Sequence, residues 1–247
     1  MESVCRNTVD ILGVQVDRRD FAEALQTAIA YLSTDTAHAI YTPNPEIIMK
    51  AYRDKTYCDV LNRASMVVPD GIGVVYGARI LKRPVAERVA GYDLSCALLT
   101  EAGKMGKKVF LFGGKPGVAE LAAENMENRF PGLKICGTAH GYHKDTSHIA
   151  SAVQKAGADI VLVCLGAPKQ EIWIDANKDQ TGAKILIGAG GSLDVFAGTV
   201  KRAPALFCKL NLEWFYRLIK QPTRIGRMMD LPRFAVTVLL HGKRQKG

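Results

Sequence analysis

No Cys-x-x-Cys pair occurs among the six cysteines, which stand at positions 5, 58, 96, 136, 164 and 208. A structural zinc site closed by paired thiolates therefore has no ligand set, and the spacing is not that of a disulfide framework. Cys136 and Cys164 lie inside apolar runs and read as small core residues, the usage of a reducing compartment. No Asp-x-Asp pair occurs either, so a carboxylate clamp for a divalent ion on a diphosphate is not encoded, and no metal or cofactor is expected. Neither G-x-G-x-x-G nor a Walker motif is present, which argues against a dinucleotide-dependent oxidoreductase and a P-loop enzyme. The longest late apolar run, FAVTVLL (234–240), is far short of a bilayer span, and MESVCRNTVDILG at the start lacks the apolar centre of a signal peptide. The expected location is the cytoplasm. Internal repeats and low-complexity segments are also missing.

What is present is a chain of 247 residues, 48% hydrophobic and 23% charged, long enough for one sizeable domain with an appendage. Its charge is unevenly spread. Residues 1–200 carry 22 Lys+Arg against 22 Asp+Glu, whereas residues 201–247 carry 11 against 2. A neutral body with a basic tail implies a tail that meets an anionic surface. The boundary is expected at TVKRAP (199–204), separating a core of residues 1–200 from an appendage of residues 201–247 whose loss leaves the core folded.

Along the body, strand-like and helix-like segments alternate. VDILGVQV (9–16), HAIYTPN (38–44), SMVVPD (65–70), KKVFLFGG (107–114), LKICGTA (133–139), ADIVLVCLG (158–166) and KILIGAG (184–190) read as strands. Between them, DFAEALQTAIAYLS (20–33), a continuous helix over 46–64 entered through Pro45, IGVVYGARIL (72–81), YDLSCALLTEAGKMG (92–106), VAELAAENMENRF (118–130), TSHIASAVQKAG (146–157) and QEIWIDANKDQTG (170–182) read as helices. Continuous apolar strands alternating with amphipathic helices predict an α/β fold, a Rossmann-like, mostly parallel sheet with helices on both faces. Such sheets bind ligands beyond the carboxyl ends of their strands. The residues at those ends are Thr42 and Asn44, Asp70, Gly113 and Gly114, Gly166, and Gly190 and Gly191.

Each of these has two readings. FGGKPG (112–117) and GAGGSLDVFAG (188–198, with Ser192 and Asp194) are either tight strand-to-helix turns or backbone cradles for a nucleotide diphosphate. Asp70 is either a helix N-cap for IGVVYGARIL or a general base at the mouth of a pocket. Thr42 and Asn44, held between prolines, either hold a sugar or form an Asx turn and cap. Gln170 is either a polar first-turn residue or a donor–acceptor pair for sugar hydroxyls. Arg88, in ERVAGYD with Asp93, pairs either a phosphate or an acid of the body. His140 and His143 read as loop residues, since no third metal ligand is evident.

In ALFCKLNLEWFYRLIKQ (205–221), Leu206, Phe207, Leu210, Trp214 and Leu218 fall on one stripe of a single helix with basic flanks. That is either an interfacial helix at an anionic membrane or a helix docked on the body. Arg217, Arg224 and Arg227 are placed to reach a diphosphate. The basic segment is short and carries no reader motif, so nucleic acid is not an expected partner. A homo-oligomer is left open.

TPNPEII, VVPDGIGVVYGAR, ERVAGYDL, VFLFGGKPGV, LGAPKQE and GAGGSLDVFAG, in this order, resemble the WecG/TagA/CpsF family (glycosyltransferase family 26), over about residues 8–230 and most nearly its TagA branch. The resemblance implies sugar transfer from a UDP-sugar donor to undecaprenyl-diphosphate-linked GlcNAc at the inner face of the cell membrane, where the protein is peripherally bound. In the TagA branch the donor is UDP-N-acetylmannosamine, the new bond is β-1,4, and the product is the linkage unit of wall teichoic acid. The family's base falls on Asp70, its substrate contacts on Thr42, Asn44 and Gln170, and its lipid-diphosphate contacts on Arg217, Arg224 and Arg227. One departure is Cys164, where many members have glycine.

Overall fold

The computed structural model describes residues 6–220, 222 and 225–244. The chain opens with a hairpin, β1 (Thr8–Ile11) and β2 (Val14–Asp17), followed by α1 (Phe21–Tyr31). Then come β3 (His38–Tyr41), α2 (Pro45–Arg53), α3 (Lys55–Asn62), β4 (Met66–Val67), α4 (Ile72–Ile80) and α5 (Gly91–Lys104). The second half holds β5 (Lys108–Gly113), α6 (Val118–Arg129), β6 (Lys134–Ala139), α7 (Ser147–Ala156), β7 (Ile160–Cys164), α8 (Lys169–Asn177), β8 (Ile185–Gly188) and α9 (Ser192–Phe196). Four helices close the described chain: α10 (Ala205–Lys209), α11 (Glu213–Lys220), α12 (Ile225–Met228) and α13 (Asp230–Arg244).

Six strands form one parallel sheet in the order β4-β3-β8-β7-β5-β6. Side chains alternate across a strand, so each strand supplies two cores. Ala39, Tyr41, Val67, Phe110, Phe112, Val161, Val163 and Leu186 face one side, under the β1–β2 hairpin and helices α2, α3, α4, α7, α8 and α13. Ile40, Met66, Val109, Leu111, Ile160, Leu162, Ile185 and Ile187 face the other, under α1, α5, α6 and α9. The expected α/β sheet with two covered faces is the observed one.

Three local readings change. VDILGVQV is not one strand but a hairpin, because Leu12 (φ 55) and Gly13 (φ 93) both take positive φ and turn the chain back on itself. The hairpin covers the sheet edge: the buried Asp17 carboxylate accepts from the Val67 amide at 2.6 Å and pairs with Arg6 at 2.6 Å. The helix expected over 46–64 breaks at Asp54, which is extended (φ −128, ψ 102), ends α2 and caps α3 by accepting from the Tyr57 amide. The single helix expected over 205–221 is two, α10 and α11, parted at Asn211 in the left-handed region (φ 58), which asparagine tolerates.

The far end of the basic segment enters the core. Phe234 and Val238 of α13 are 3% and 0% exposed and seat on α4 at Gly77, where an added Cβ would lie 2.7 Å from the Phe234 ring. Asp230 pairs with Arg53 of α2 at 2.8 Å. A chain cut near Lys201 would strip these contacts from the first core, so point substitutions report on the segment more cleanly than truncation.

Candidate active site

Parallel pairing brings the carboxyl ends of all six strands to one rim. Tyr41 pairs with Val67, Ile40 with Ile187, Val163 with Gly188, and Gly113 with Cys164. Four strand spacings of about 4.8 Å separate β4 from β5, so Asp70 and Gly113 lie roughly 19 Å apart along that rim. Thr42, Asp70 and Gly190 therefore lie toward one end of that rim and Gly113 and Gly114 toward the other.

Asp70 does not cap α4. The N-cap is Gly71 (φ 86), and no side chain caps that helix. The Asp70 amide donates to the Pro43 carbonyl at 3.1 Å, and the Val89 amide to that of Pro69 at 2.9 Å, which ties the Arg88 segment to the same loop. Arg88 consequently reaches the carboxylate, its Nε 3.7 Å from Asp70 Oδ1. The rest of the guanidinium points to the basic segment: Nη1 donates to Asn211 Oδ1 at 3.1 Å and Nη2 to Glu213. Among the described residues, Arg88 Nε is buried with no hydrogen-bond partner. Burial raises the Glu213 carboxyl, but the Arg88 guanidinium, aided by Cys208 and Arg202, outweighs it, and the net shift is downward.

Asp93 pairs not with Arg88 but with Arg202, at 2.7 Å. Arg202 also lies 3.5 Å from Glu213 and stacks over the Tyr92 ring at 4.6 Å.

The other predicted residues divide into those half-buried at the rim and those buried within it. Thr42 is half-buried, its hydroxyl 3.4 Å from the Gly188 carbonyl and hard against Gly91, where an added Cβ would meet Thr42 Oγ1 at 2.7 Å. Asn44 is the α2 cap: its Oδ1 accepts from the Ile47 amide at 3.0 Å, which leaves its NH2 group as the half turned to other uses. Gln170 is 3% exposed and fully engaged: Nε2 donates to Glu171 at 2.8 Å, while Oε1 accepts from the Gly190 amide at 3.0 Å. It shapes the loop after β8 from below.

Backbone N–H groups near Gly190–Ser192 were expected to meet a diphosphate. Two are already used, the Gly190 amide by Gln170 and the Ser192 amide by the Ala189 carbonyl at 3.1 Å. The Ser192 hydroxyl also turns back to Ala189, at 2.6 Å. Cys164 explains part of this. Its thiol lies against the Ser192 and Leu193 amides, and burial pushes it up to about 12. Asp194 is half-buried on α9, its carbonyl held by Val200 and Thr199. Gly191 is the residue of this turn with neither contact.

Gly113 (φ 139) is a packing requirement, since a Cβ there would stand 2.3 Å from the Cys164 carbonyl oxygen. Gly114 (φ 68) donates to the same carbonyl and accepts from Gly141 at 2.8 Å. His140 and His143 stack at 3.9 Å, with His148 5.0 Å from His143. Arg224 and the side chains of Arg217 and Arg227 lie outside the described residues. Trp214 is 40% exposed, beside Phe215.

A glycosyl transferase model, that of the WecG/TagA/CpsF family, matches residues 9–247. The chain belongs to that family. Among its relatives is a Bacillus subtilis (strain 168) protein, 41% identical over 216 residues, 87% of this chain and 84% of that one. One from Bacillus spizizenii is 38% identical over 228 residues, 92% and 88% of the two chains. One from Staphylococcus aureus (strain MRSA252) is 36% identical over 229 residues, 92% and 90%. All three are named N-acetylglucosaminyldiphosphoundecaprenol N-acetyl-beta-D-mannosaminyltransferase.

Four residues around the candidate site of this WecG/TagA/CpsF member escape a reading by motif. Glu213 and Arg202 lie in the basic segment, and only folding sets them beside Arg88. Glu171 was visible as the neighbour of Gln170, but its burial at 1% exposure was not. Tyr57, on α3, donates to Glu171 at 3.0 Å across the first core. The one signal in the sequence was composition: Glu213 is one of just two acids in the last 47 residues.

Proposed function

We propose that this chain is an inverting glycosyltransferase. It moves N-acetylmannosamine from UDP-N-acetylmannosamine to the 4-hydroxyl of the GlcNAc on undecaprenyl diphosphate, the step that builds a wall teichoic acid linkage unit. The observation that carries the reading is Asp70 just past the end of β4, not spent on capping α4 and with Arg88 Nε 3.7 Å from its carboxylate. Asp70 accepts the proton of the acceptor hydroxyl as that oxygen attacks the anomeric carbon from the face opposite the leaving UDP. The C1–O bond to the diphosphate breaks with its electron pair going to UDP, so the configuration inverts.

Thr42 and the Asn44 NH2 group orient sugar hydroxyls, and proximity supplies the larger part of the acceleration. Gln170 acts at one remove, holding the Gly190 turn along which the donor lies. The charge of the acceptor's lipid diphosphate is met by arginines: Arg88 and, from the basic segment, Arg217, Arg224 and Arg227. No step is assigned to a metal.

Peripheral membrane binding accompanies the reaction, because the acceptor is a lipid. Among the described residues no helix is long and apolar enough to cross a membrane. Leu206, Leu210, Trp214, Phe215 and Ile219 are instead exposed on α10, α11 and the turn between them, amid excess positive charge, the composition of an interfacial surface.

Transfer from a panel of UDP-sugars to a short-chain polyprenyl-diphosphate-GlcNAc, with product linkage read by NMR, tests the proposal. A β-1,4-linked N-acetylmannosamine product is expected. Preference for a uronic acid donor would shift the donor assignment within the family, and UDP-sugar binding without product would reduce the chain to a binding protein.

A further inference from the structure

Glu213 is an acid in a segment otherwise rich in bases, and it sits where an acid is least expected. Its carboxylate meets Arg88 through one oxygen, and Arg202 Nε (3.5 Å) and the Cys208 thiol (3.2 Å) through the other. Arg88 Nε is the atom 3.7 Å from Asp70, an ion pair too long for a hydrogen bond, and among the described residues it is buried with no hydrogen-bond acceptor. Two guanidinium groups therefore converge on one anion within reach of the candidate base. Carboxylate and phosphate are recognised by the same planar fork, so an internal carboxylate in such a place occupies a position that a phosphate would fill. Beside it a cavity of about 430 Å³ is lined by Arg79, Arg88 and Asn211, the acids Glu87 and Asp93, and apolar residues that include Ile72. Arginines together with apolar walls suit an amphiphile with an anionic head.

We propose that Arg88 and Arg202 form the seat of the acceptor's pyrophosphate, and that Glu213 occupies this seat until the lipid-linked pyrophosphate displaces it. The proposal rests on the transferase reading and deepens it, adding Arg202 and Glu213 to the site. The exchange is favourable because pyrophosphate brings more negative charge and more acceptor oxygens than one carboxylate, enough to engage both guanidinium groups at once. The exchange is also mechanically open. Glu213 stands in the first turn of α11, whose exposed Trp214, Phe215 and Ile219 meet the membrane that delivers the lipid, so engagement of that face draws α11 and its carboxylate off the arginines. Arg202 remains anchored by Asp93 at 2.7 Å, so the seat persists when Glu213 leaves.

Steady-state transfer by Glu213→Gln, Arg202→Gln, Arg202→Lys and the Glu213→Gln/Arg202→Gln pair tests this in the full-length protein. Glu213→Gln removes the competing charge with little change of shape, and the acceptor KM should fall several-fold while the donor KM does not follow. Arg202→Gln should raise the acceptor KM about tenfold or more, as loss of a charge-assisted contact does, and should still do so in the Glu213→Gln background. Arg202→Lys should recover part of the loss. Titration with inorganic pyrophosphate, followed by calorimetry, gives a readout independent of turnover: tighter in Glu213→Gln, weaker in Arg202→Gln. A higher acceptor KM in Glu213→Gln would mean that Glu213 is a clasp for the segment, and the exchange would be wrong. If Arg202→Gln lost its effect in the Glu213→Gln background, Arg202 would serve Glu213 alone. Absence of product with every UDP-sugar would instead defeat the transferase reading, while the pyrophosphate titration would still judge the seat.

Discussion

The α/β body and the basic C-terminal segment treat their apolar side chains in opposite ways. In the body, strands such as β7 and β8 are buried along their whole length, and large apolar side chains left outside are few, as with Tyr52, Met105 and Leu121. From residue 205 onward Leu206, Leu210, Trp214, Phe215, Ile219, Ile225, Met229, Val236, Leu239 and Leu240 are all exposed. The two acids of the segment behave in the reverse sense: Glu213 and Asp230 turn inward and pair with arginines of the body. The segment faces much of its apolar surface outward and fastens itself to the body by charge and by Phe234 and Val238 of α13.

If that contrast is correct, chemistry belongs to the body and acceptor capture to the segment, and substitutions should sort accordingly. The largest effect is expected at Asp70. Asp70→Asn should lower kcat by about 10²–10⁴-fold, the usual worth of a positioned base, with UDP binding by calorimetry retained. Near-normal turnover would remove Asp70 from the role of base.

Next comes the anchor between the two regions. Phe234→Ala empties the seat over Gly77 and should cost about 3–5 kcal/mol, read as a fall in the thermal or urea midpoint. A variant as stable as the parent would mean that α13 contributes little to the fold and that the segment is detached along its whole length.

A subtler difference is expected from Glu171, the buried acid beneath the loop after β8. Burial raises its carboxyl more than the Gln170 and Tyr57 hydrogen bonds lower it. An acid that holds its proton more tightly when folded contributes stability that is complete below its unfolded value, about 4.3, and is lost as pH rises through the folded value. Glu171→Gln removes that dependence. The parent should therefore lose stability relative to the variant as pH rises from about 4.3, in urea melts at stepped pH. An unchanged gap would mean that the carboxylate is stabilised as well as it is in water.

The smallest change in stability is expected on the outward face. Leu210→Ser with Trp214→Ala should alter unfolding by no more than about 0.5 kcal/mol yet weaken binding to anionic vesicles. Vesicle affinity equal to the parent's would move the interfacial surface elsewhere.

Most of the architecture was legible in the sequence because burial leaves a periodic trace. Runs such as IVLVC and ILIG, apolar without alternation, announce strands covered on both faces, and the rule that ligands gather at strand ends led directly to Thr42, Asp70 and Gly190. The breaks at Leu12–Gly13, Asp54 and Asn211 were missed because each is one or two residues in an otherwise periodic stretch. A single left-handed or extended residue overrides a pattern averaged over a dozen. Gln170 and Asn44 were legible as polar residues at the right strand ends, but not which of their atoms the protein itself would use.

The order of apolar and polar residues by itself determined the α/β class, the two covered faces, the rim where Asp70 stands and the basic character of the last 47 residues, since these depend on local periodicity and composition. Tertiary structure alone decided that Glu213 meets Arg88 across 125 positions, that Asp93 takes Arg202, and that Gln170 turns its carbonyl to Gly190. An ion pair is a matter of distance in space, and no spacing along the chain encodes which of 33 basic side chains will lie within reach of a given carboxylate.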